Sequence, residues 1–253
     1  MKILHYQHNG VGVVISKYLN RIPGVTSKVL STRYHPFGYK ADWTFPYSTH
    51  LVYWSLATIF PKAFDILHCH DNNRLPAYVL NKWTGRFIHH YHNPLAFNLY
   101  PEKAFPSFVA VPSMTTRIYN STWLPIPVDT DLFYPIVRKP HNKLVVGLSY
   151  NPNADTNKLQ FIPYQEVKAL VDKFTNIELL PLTTTLPYTE MPNYYRKLDI
   201  YVDRTGFDFY GWQAAEAATC GVFVLSEVPV VVSLHNAANV AEQCLLKYRS
   251  LYV

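Results

Sequence analysis

The sequence predicts an α/β protein of two lobes, each a parallel sheet flanked by helices. Two observations predict it. Short β-branched or aliphatic runs alternate with helical patterns along the chain, which favours parallel strands joined by crossover helices. The alternation stops once, near residue 137, and then resumes, which indicates two sheets. A length of 253 residues is enough for two small Rossmann-like lobes.

The first series of elements fills the N-terminal half. Its predicted strands are Lys2–Tyr6, Lys28–Thr32, Asp65–His70, Arg86–His92, Phe108–Ser113 and Trp123–Val128, with helices at Val11–Ile22 and Asn73–Gly85. The second series has predicted strands Lys143–Tyr150, Ile177–Thr183, Ile200–Asp203 and Val222–Glu227. We predict a domain of residues 1–137 and a second of residues 138–253, because residues 134–142 contain two prolines and no periodicity.

Three helices are predicted in the second half. Apolar residues at i, i+3, i+4 and i+7, namely Val167, Leu170, Val171 and Phe174, predict a helix with one apolar face. Ala214–Cys220 is small and apolar, which suits a helix packed closely on a sheet, and Gly221 is expected to end it. Val240–Tyr252 is the predicted final helix.

Composition limits the class of protein. A hydrophobic fraction of 49% and a charged fraction of 16% indicate a globular protein with a core. The three cysteines form no CxxC pair, which favours a reducing compartment and a cytoplasmic location. The N-terminus starts directly with a strand pattern and lacks a signal-peptide core. The longest apolar stretch, Trp43–Phe60, contains Pro46 and His50, so it suits a position against a membrane surface better than a membrane span.

The net charge of +6 is unevenly distributed. Up to Val137 there are 12 Lys and Arg against 6 Asp and Glu, and from Arg138 onward there are 11 against 11. This excess predicts that the first half meets an anionic partner, such as a lipid headgroup or an acidic acceptor. A solvated basic surface is the alternative. Nucleic acid is not expected, because no run of Arg and Lys alternates with aromatic residues.

The segment Asp208–Gly221, DFYGWQAAEAATCG, combines features that suit a phosphorylated ligand. It follows a predicted strand and opens a helix, whose N-terminal amides and positive dipole end favour a diphosphate. Gly211 allows close approach to the backbone, and a carboxylate one turn later, Glu216, can accept hydrogen bonds from sugar hydroxyls. Ordinary capping by acidic residues is the alternative interpretation.

The same segment resembles the acidic motif of the group 1 (GT4-type) family of GT-B glycosyltransferases, roughly E-G-F-G-L-P-A-L-E-A-M-A-C-G. Asp208 and Glu216 align with its two glutamates without a gap, although Asp208 is shorter by one methylene. The resemblance implies that Asp208 contacts the sugar and Glu216 the ribose. It also places the backbone of Phe209, Tyr210 and Gly211 at the donor.

Other segments agree with this family in order. Glu190–Val202 is similar to its E-M-P-E-L-Y-R-S-A-D-V-F-V, Leu124–Pro135 to I-P-N-G-V-D-T-D-L-F-x-P, and Asp65–Asp71 to D-I-V-H-A-H-D. Ile88–Asn93 resembles the strand that ends in the family's active-site-facing histidine, a role that falls on His92.

Two features bear on phosphate binding. Asn9-Gly10-Val11 resembles the glycine-rich first turn of the family, which implies a donor contact at Gly10. The family has an Arg and a Lys after the first strand of the second lobe, and no Arg stands at that place here. Lys158 is the nearest candidate for the Lys, and Arg204 is another cation close by in sequence.

The resemblance implies a compact GT-B transferase with its active site in the cleft between the lobes. It would transfer a sugar from a nucleoside-diphosphate donor, such as a UDP- or GDP-sugar, with retention of configuration and with no metal or cofactor. His92 and Asp208 would be catalytic. The acceptor, anionic or lipid-linked, would be selected by the first lobe, which would also make any peripheral membrane contact.

Two alternatives stay open. The absent Arg and the shorter Asp208 also fit a non-catalytic protein that binds sugar nucleotides. A metal-dependent hydrolase could use the histidines at 68, 70, 90 and 92, although neighbouring parallel strands also bring alternate residues to one face without a metal. The DxD pattern of Asp129 and Asp131 lies before Phe133 and Pro135, so we predict a turn there and not a metal site.

Overall fold

The computed structural model describes most of the chain. The described residues are 1–7, 10–46, 48–70, 75–83, 86–92, 105–118, 120–137, 142–150, 163–204 and 209–252. They form two parallel sheets, one of seven strands and one of four, with helices between the strands. The predicted α/β class with two parallel-sheet lobes is confirmed.

The larger sheet has strand order β3-β2-β1-β4-β5-β6-β7, and every neighbouring pair is parallel. Its strands are β1 Lys2–Gln7, β2 Thr26–Ser31, β3 Trp43–Thr44, β4 Ile66–His70, β5 Phe87–Tyr91, β6 Ser107–Val109 and β7 Ser121–Trp123. The helices among them are α1 Val11–Leu19, α2 Thr49–Thr58, α3 Phe60–Ala63 and α4 Ala77–Leu80. A 3-10 turn, Pro112–Thr116, follows β6.

The two faces of this sheet are covered differently. One face carries an apolar core of Leu4, Tyr6, Leu67 and Cys69, packed against residues of α2 and α4. The other carries the alternate side chains of β1, β4 and β5 and meets the last helix, α8 Ala237–Arg249, through Tyr248. Helix α1 packs against α8.

The smaller sheet has strand order β11-β10-β8-β9, again all parallel. Its strands are β8 Leu144–Ser149, β9 Ile177–Leu182, β10 Ile200–Val202 and β11 Phe223–Leu225. Its helices are α5 Tyr164–Val171, α6 Met191–Tyr195 and α7 Trp212–Thr219, with 3-10 turns at Tyr188–Glu190 and Val232–His235. The core is rich in tyrosine, with Tyr195 and Tyr201 buried between α6, α7 and the sheet.

The chain divides into two compact units, and the division differs from the predicted domains at both ends. The first unit is Met1–Pro127 together with Asn236–Val253, and the second is Val128–His235. Residues 236–253 belong to the first unit because α8 packs on α1 and Tyr248 bonds to His68. The acceptor and donor roles assigned to the two domains stay predictions.

In the second unit, two of three predictions made from local sequence patterns agree fully with the structure. Gly221 ends α7 with a positive φ of 79°, as predicted, and its N–H donates to the carbonyl of Ala218. Asp129 forms the predicted turn, since its carboxylate accepts the N–H of Asp131 at 3.2 Å. The apolar face predicted for α5 is only partly buried: Val171 is buried, but Leu170 and Phe174 are both about half exposed.

The aromatic stretch from Trp43 contains elements that periodicity did not predict. It forms β3, then α2 and α3. Leu51, Trp54 and Ile59 are exposed on or beside α2. Among the described residues, no helix has the length and apolarity needed to cross a membrane.

Candidate functional site

Of the nine histidines that the structure describes, five lie on one face of the larger sheet. His5 of β1 is paired in register with His68 of β4, and His70 with His90 of β5. Because side chains alternate along a strand, His68 and His70 share a face, and His92 continues the row just beyond β5. The sequence predicted the clustering of the four histidines from β4 and β5, and the structure adds His5 from β1.

The histidines contact one another directly. Nδ1 of His5 lies 3.0 Å from Nε2 of His70, and Nδ1 of His70 lies 3.0 Å from Nε2 of His92. The rings of His70 and His92 are stacked within 8° of parallel, with centroids 5.3 Å apart. Nδ1 of His68 bonds to the Tyr248 hydroxyl at 2.6 Å. A chain of neutral imidazoles can satisfy these bonds, since each has one donor and one acceptor nitrogen.

Not every buried nitrogen is satisfied in this way. Nε2 of His5, Nε2 of His68 and both nitrogens of His90 have no hydrogen-bond partner among the described residues. A buried polar group without a partner costs about 1–3 kcal/mol. Several buried imidazole nitrogens on this face therefore lack a hydrogen-bond partner among the described residues. Bound water or a metal ion can satisfy nitrogens of this kind.

Burial keeps these histidines uncharged. It lowers the pKa of His5 from 6.5 to about 3. Burial, followed by repulsion from neighbouring imidazoles, lowers the pKa values of His68, His70 and His90 well below 6.5. All four are therefore neutral imidazoles near pH 7, the form that can bind a metal or exchange a proton.

His92 and Gly10, two predicted site residues, lie in the first unit. His92 is half-buried at the carboxyl end of β5, the edge of a parallel sheet where ligands usually bind. Gly10 is the N-cap of α1, and the space left by its missing side chain is filled by the ring of Tyr39. A Cβ there would come within 2.4 Å of that ring. The ring of Tyr39 therefore lies against this glycine, and the donor contact expected at Gly10 stays a prediction.

Gly211 lies where the sequence places the phosphate-binding turn. It is the N-cap of α7, and its N–H donates to the Asp203 carboxylate at 2.7 Å. A Cβ on Gly211 would lie 3.0 Å from both Asp203 Oδ1 and Arg204 Nη2, so a larger residue would press on both groups. The turn therefore presents the guanidinium of Arg204 beside the N-terminus of α7, at the carboxyl end of β10.

Asp203 stabilises this arrangement. It is buried, which raises the pKa of its carboxyl group, while the N–H groups of Gly211 and Arg204 and the charge of Arg204 act in the opposite direction. Sequence analysis placed Asp203 only at the end of a strand. The rule that ligands meet parallel sheets at strand ends would have singled out Asp203 and Arg204 together.

Glu216 is buried within the second unit and is not a surface cap. Its Oε2 accepts a hydrogen bond from the Tyr195 hydroxyl at 2.9 Å. Burial raises the pKa of Glu216 to about 8, and the bond from Tyr195 opposes this shift. At neutral pH the carboxyl group is therefore mainly protonated, and a protonated carboxyl can donate a hydrogen bond as well as accept one.

The aromatic residues before α7 form a small stack. The ring centroids of Phe209 and Tyr210 lie 4.1 Å apart, and the Tyr210 hydroxyl forms a hydrogen bond with Nε2 of His235. This fixes the chain as it enters Gly211. Asp208 and Lys158, the other two predicted site residues, lie outside the described residues.

The structure brings predicted residues together within each unit. Phe209, Tyr210, Gly211 and Glu216 are grouped in the second unit with Arg204, the cation also named from sequence, and the structure adds Asp203 and Tyr195. His92 is grouped with four other histidines in the first. Tyr195 could not have been singled out from sequence, since it approaches Glu216 only through the packing of α6 on α7.

Comparison with known proteins gives the fold. No protein-family model and no curated protein matches the chain. Among solved structures, the S. aureus MnaA protein, solved with UDP, is similar with a TM-score of 0.52 at 12% identity, over 99% of this chain and 89% of that one. A Listeria monocytogenes protein described as a UDP-N-acetylglucosamine 2-epimerase is similar with a TM-score of 0.54 at 12% identity, over 98% and 88%.

A third solved structure, the E. coli ADP-heptose lps heptosyltransferase II, aligns over 100% of both chains at 13% identity with a lower TM-score of 0.43. At such identities the first two comparisons show architecture alone. The chain has the two-lobed α/β architecture of the GT-B fold, which is shared with sugar-nucleotide enzymes.

The buried histidines predict a steep loss of stability in acid. Their pKa values are lower in the folded state than the unfolded value of 6.5, so the unfolded chain binds more protons below that pH. Stability is therefore fully present above pH 6.5 and falls as the pH is lowered. Each such histidine contributes up to about 1.4 kcal/mol per pH unit, so the four together contribute up to about 5.6 kcal/mol per pH unit.

Urea unfolding of the first unit between pH 7 and pH 5 measures this slope. We expect His90→Gln to reduce it by about a quarter, because one protonating group is removed, whereas the exposed His50→Gln should leave it unchanged. An unfolding free energy that stays level across this range would show that these histidines are not held neutral.

Proposed function

We propose that the chain binds a nucleoside-diphosphate sugar in its second unit and transfers the sugar to an acceptor, as a retaining glycosyltransferase of the group 1 (GT4-type) kind. One observation carries the proposal. Arg204 lies beside the N-cap glycine of α7 at the carboxyl end of a parallel strand, and buried Glu216 follows on the next turn of the same helix.

The diphosphate would lie at the start of α7. The amides of a first helical turn lack acceptors within the helix, and the helix dipole adds a positive partial charge. Arg204 supplies a full charge there and forms bidentate contacts with phosphate that a lysine cannot make. It takes the place of the family Arg that the sequence lacks, and the diphosphate then needs no metal ion to neutralise it.

Glu216 would recognise the ribose. Tyr195 occupies one carboxyl oxygen and leaves the other for a ribose hydroxyl. Because the carboxyl group is mainly protonated near pH 7, it can both donate to and accept from a hydroxyl. Phe209 and Tyr210 supply an aromatic wall next to the same turn.

The transfer step would depend on positioning and charge stabilisation, not on a protein nucleophile. Asp208 is proposed to contact the sugar and His92 to face the reacting centre, on the strength of the family resemblance. The acceptor would be selected by the basic first unit. A location in the cytoplasm and a peripheral membrane contact remain part of this proposal.

A second candidate, epimerisation of the sugar while it stays on its nucleotide, is favoured by the two fold neighbours with the higher TM-scores, one of them solved with UDP and the other described as a UDP-N-acetylglucosamine 2-epimerase. The two reactions differ in stoichiometry. Transfer requires an acceptor and releases a nucleoside diphosphate. Epimerisation at C2 requires no acceptor and leaves the sugar on its nucleotide.

Proton NMR of UDP-sugars and GDP-sugars incubated with the protein separates these outcomes. We expect nucleoside diphosphate to appear only when an acceptor fraction, such as anionic lipid extract, is added. If a new C2 epimer appears in the absence of an acceptor, the reaction is epimerisation and not transfer. Binding without any conversion would favour the non-catalytic alternative.

Replacement of Arg204 tests the phosphate site. Arg204→Gln should weaken UDP binding by about 10-fold or more, because a charge-assisted contact to phosphate is lost. Calorimetry at constant ionic strength measures the affinity. Lys197→Gln is the matched control, since it removes one positive charge from an exposed position of the same unit and should change affinity less than about 2-fold. Equal effects of the two substitutions would argue against a specific role for Arg204.

Replacement of Glu216 separates its binding role from its structural role. The folded-state pKa is raised from 4.5 to about 8, so the stability linked to this group is complete below pH 4.5 and is lost as the pH rises towards 8. Glu216→Gln should remove this loss, about 1.4 kcal/mol per pH unit at most, and yet reduce donor affinity and turnover strongly.

Urea unfolding at pH 5 and pH 8 and calorimetry with the donor give the two readouts. Exposed Glu166 of the same unit supplies the control variant Glu166→Gln, which should alter neither. Unchanged donor affinity and turnover in Glu216→Gln would remove Glu216 from the site.

A further inference from the structure

Three histidines meet at the carboxyl ends of β4 and β5. His70 is the last residue of β4, His90 is its register partner in β5, and His92 follows β5 directly. His90 and His92 share a face because they are two residues apart, and their ring centroids are 3.9 Å apart. The strand register therefore brings three imidazoles to one point on the sheet.

The separations of their nitrogens suit a shared ion. Nδ1 of His70 and Nε2 of His92 are 3.0 Å apart, and one nitrogen from each of the three rings lies within 4.8 Å of the others. Nitrogens bound tetrahedrally to Zn²⁺ at about 2.0–2.1 Å are separated by about 3.4 Å. The three nitrogens are therefore close enough together for one ion to be bound by all of them.

His90 supplies an independent indication. It is fully buried, and neither of its ring nitrogens has a hydrogen-bond partner among the described residues. A buried histidine usually has at least one nitrogen satisfied by protein or by water. A coordinate bond to a metal would satisfy one of these nitrogens.

His5 completes the arrangement behind His70. Nε2 of His70 lies 3.0 Å from Nδ1 of His5, on the side of the ring opposite the nitrogen that faces His92. Histidines that bind metals commonly use the second ring nitrogen for a hydrogen bond that fixes the tautomer and the ring orientation. His5 can accept this bond from His70 while Nδ1 of His70 points to the ion.

We propose that His70, His90 and His92 form a binding site for one divalent transition-metal ion of the Zn²⁺ type, with a fourth position left to water. Neutral imidazoles select such ions over Mg²⁺ and Ca²⁺, which prefer oxygen ligands. His92 is only half-buried, so this ligand is partly exposed to solvent. The site lies within the first unit and does not rest on the proposed function, and it revises the metal-free expectation drawn from sequence.

A second group of three, His5, His68 and His70, is a poorer candidate. Its nitrogens also lie within 4.8 Å of one another. All three rings are fully buried, however, and Nδ1 of His68 is already bonded to the Tyr248 hydroxyl. These differences make His5 the natural control for His90.

Zinc binding to untagged protein tests the site. After dialysis against a chelator and then metal-free buffer, the wild-type protein should take up one Zn²⁺ per chain and retain it through gel filtration, as measured by plasma mass spectrometry. Mg²⁺ at the same concentration should not compete. His90→Gln should lower zinc affinity at least tenfold, whereas His5→Gln should lower it less and still bind one Zn²⁺ per chain, because the Gln amide oxygen can accept the hydrogen bond from His70.

Absence of stoichiometric zinc in the folded wild-type protein would overturn the proposal. So would zinc retained by His90→Gln but lost from His5→Gln. If either variant does not fold, as judged by circular dichroism, X-ray absorption of the zinc-loaded wild-type protein decides alone. Three imidazole ligands would support the site, and fewer than three would exclude it.

Discussion

The first unit depends on keeping a row of histidines uncharged inside a parallel sheet. The register of β1, β4 and β5 places them on one face, and burial holds four of them in the neutral form. Neutral imidazoles can pair with one another only in compatible tautomers, so the contacts among His5, His70 and His92 are mutually constrained. Any partner that reaches this face, whether water, ion or hydroxyl, must fit that pattern.

Tyr248 is one such partner, and it explains why α8 belongs to the first unit. Its hydroxyl meets His68 while the rest of the helix packs on α1. The second unit also buries polar groups next to hydrogen-bond partners, but the groups are of a different kind. There the buried polar groups are acids, Glu216 and Asp203, and each is matched to a donor from a neighbouring element, Tyr195 or the Gly211 amide. In both units the buried polar groups lie close to the residues proposed to act on ligands.

Sequence patterns predicted ten of the eleven described strands, although the predicted Trp123–Val128 shares only Trp123 with β7. They succeeded because buried parallel strands appear as short β-branched or aliphatic runs bounded by turns. They did not predict β3 or α2, because the aromatic and prolyl composition of that stretch has no clear period. The apolar spacing in α5 was real, yet Leu170 and Phe174 are half exposed, since spacing shows that a face exists and not what covers it. In α5 the local pattern was correct, and what the sequence could not show was which part of the protein packs against the helix.

The candidate sites show the same limit. The turn at Gly211 and the histidines of β4 and β5 were identifiable because each lies in a short local motif. His5 and Tyr195 were not, because each approaches its partner through a register or a helix contact between segments far apart in sequence. Burial of Glu216, which decides its protonation state, is likewise a property of the packed core and not of the motif.

The division of the chain has a consequence for biosynthesis. The second unit is continuous in sequence, from Val128 to His235, whereas the first is interrupted by it and is completed by residues 236–253. During translation the second unit can form its sheet as soon as it emerges from the ribosome. The histidine face of the first unit is completed only when α8 and Tyr248 have been made, so it stays uncovered on a nascent chain until then.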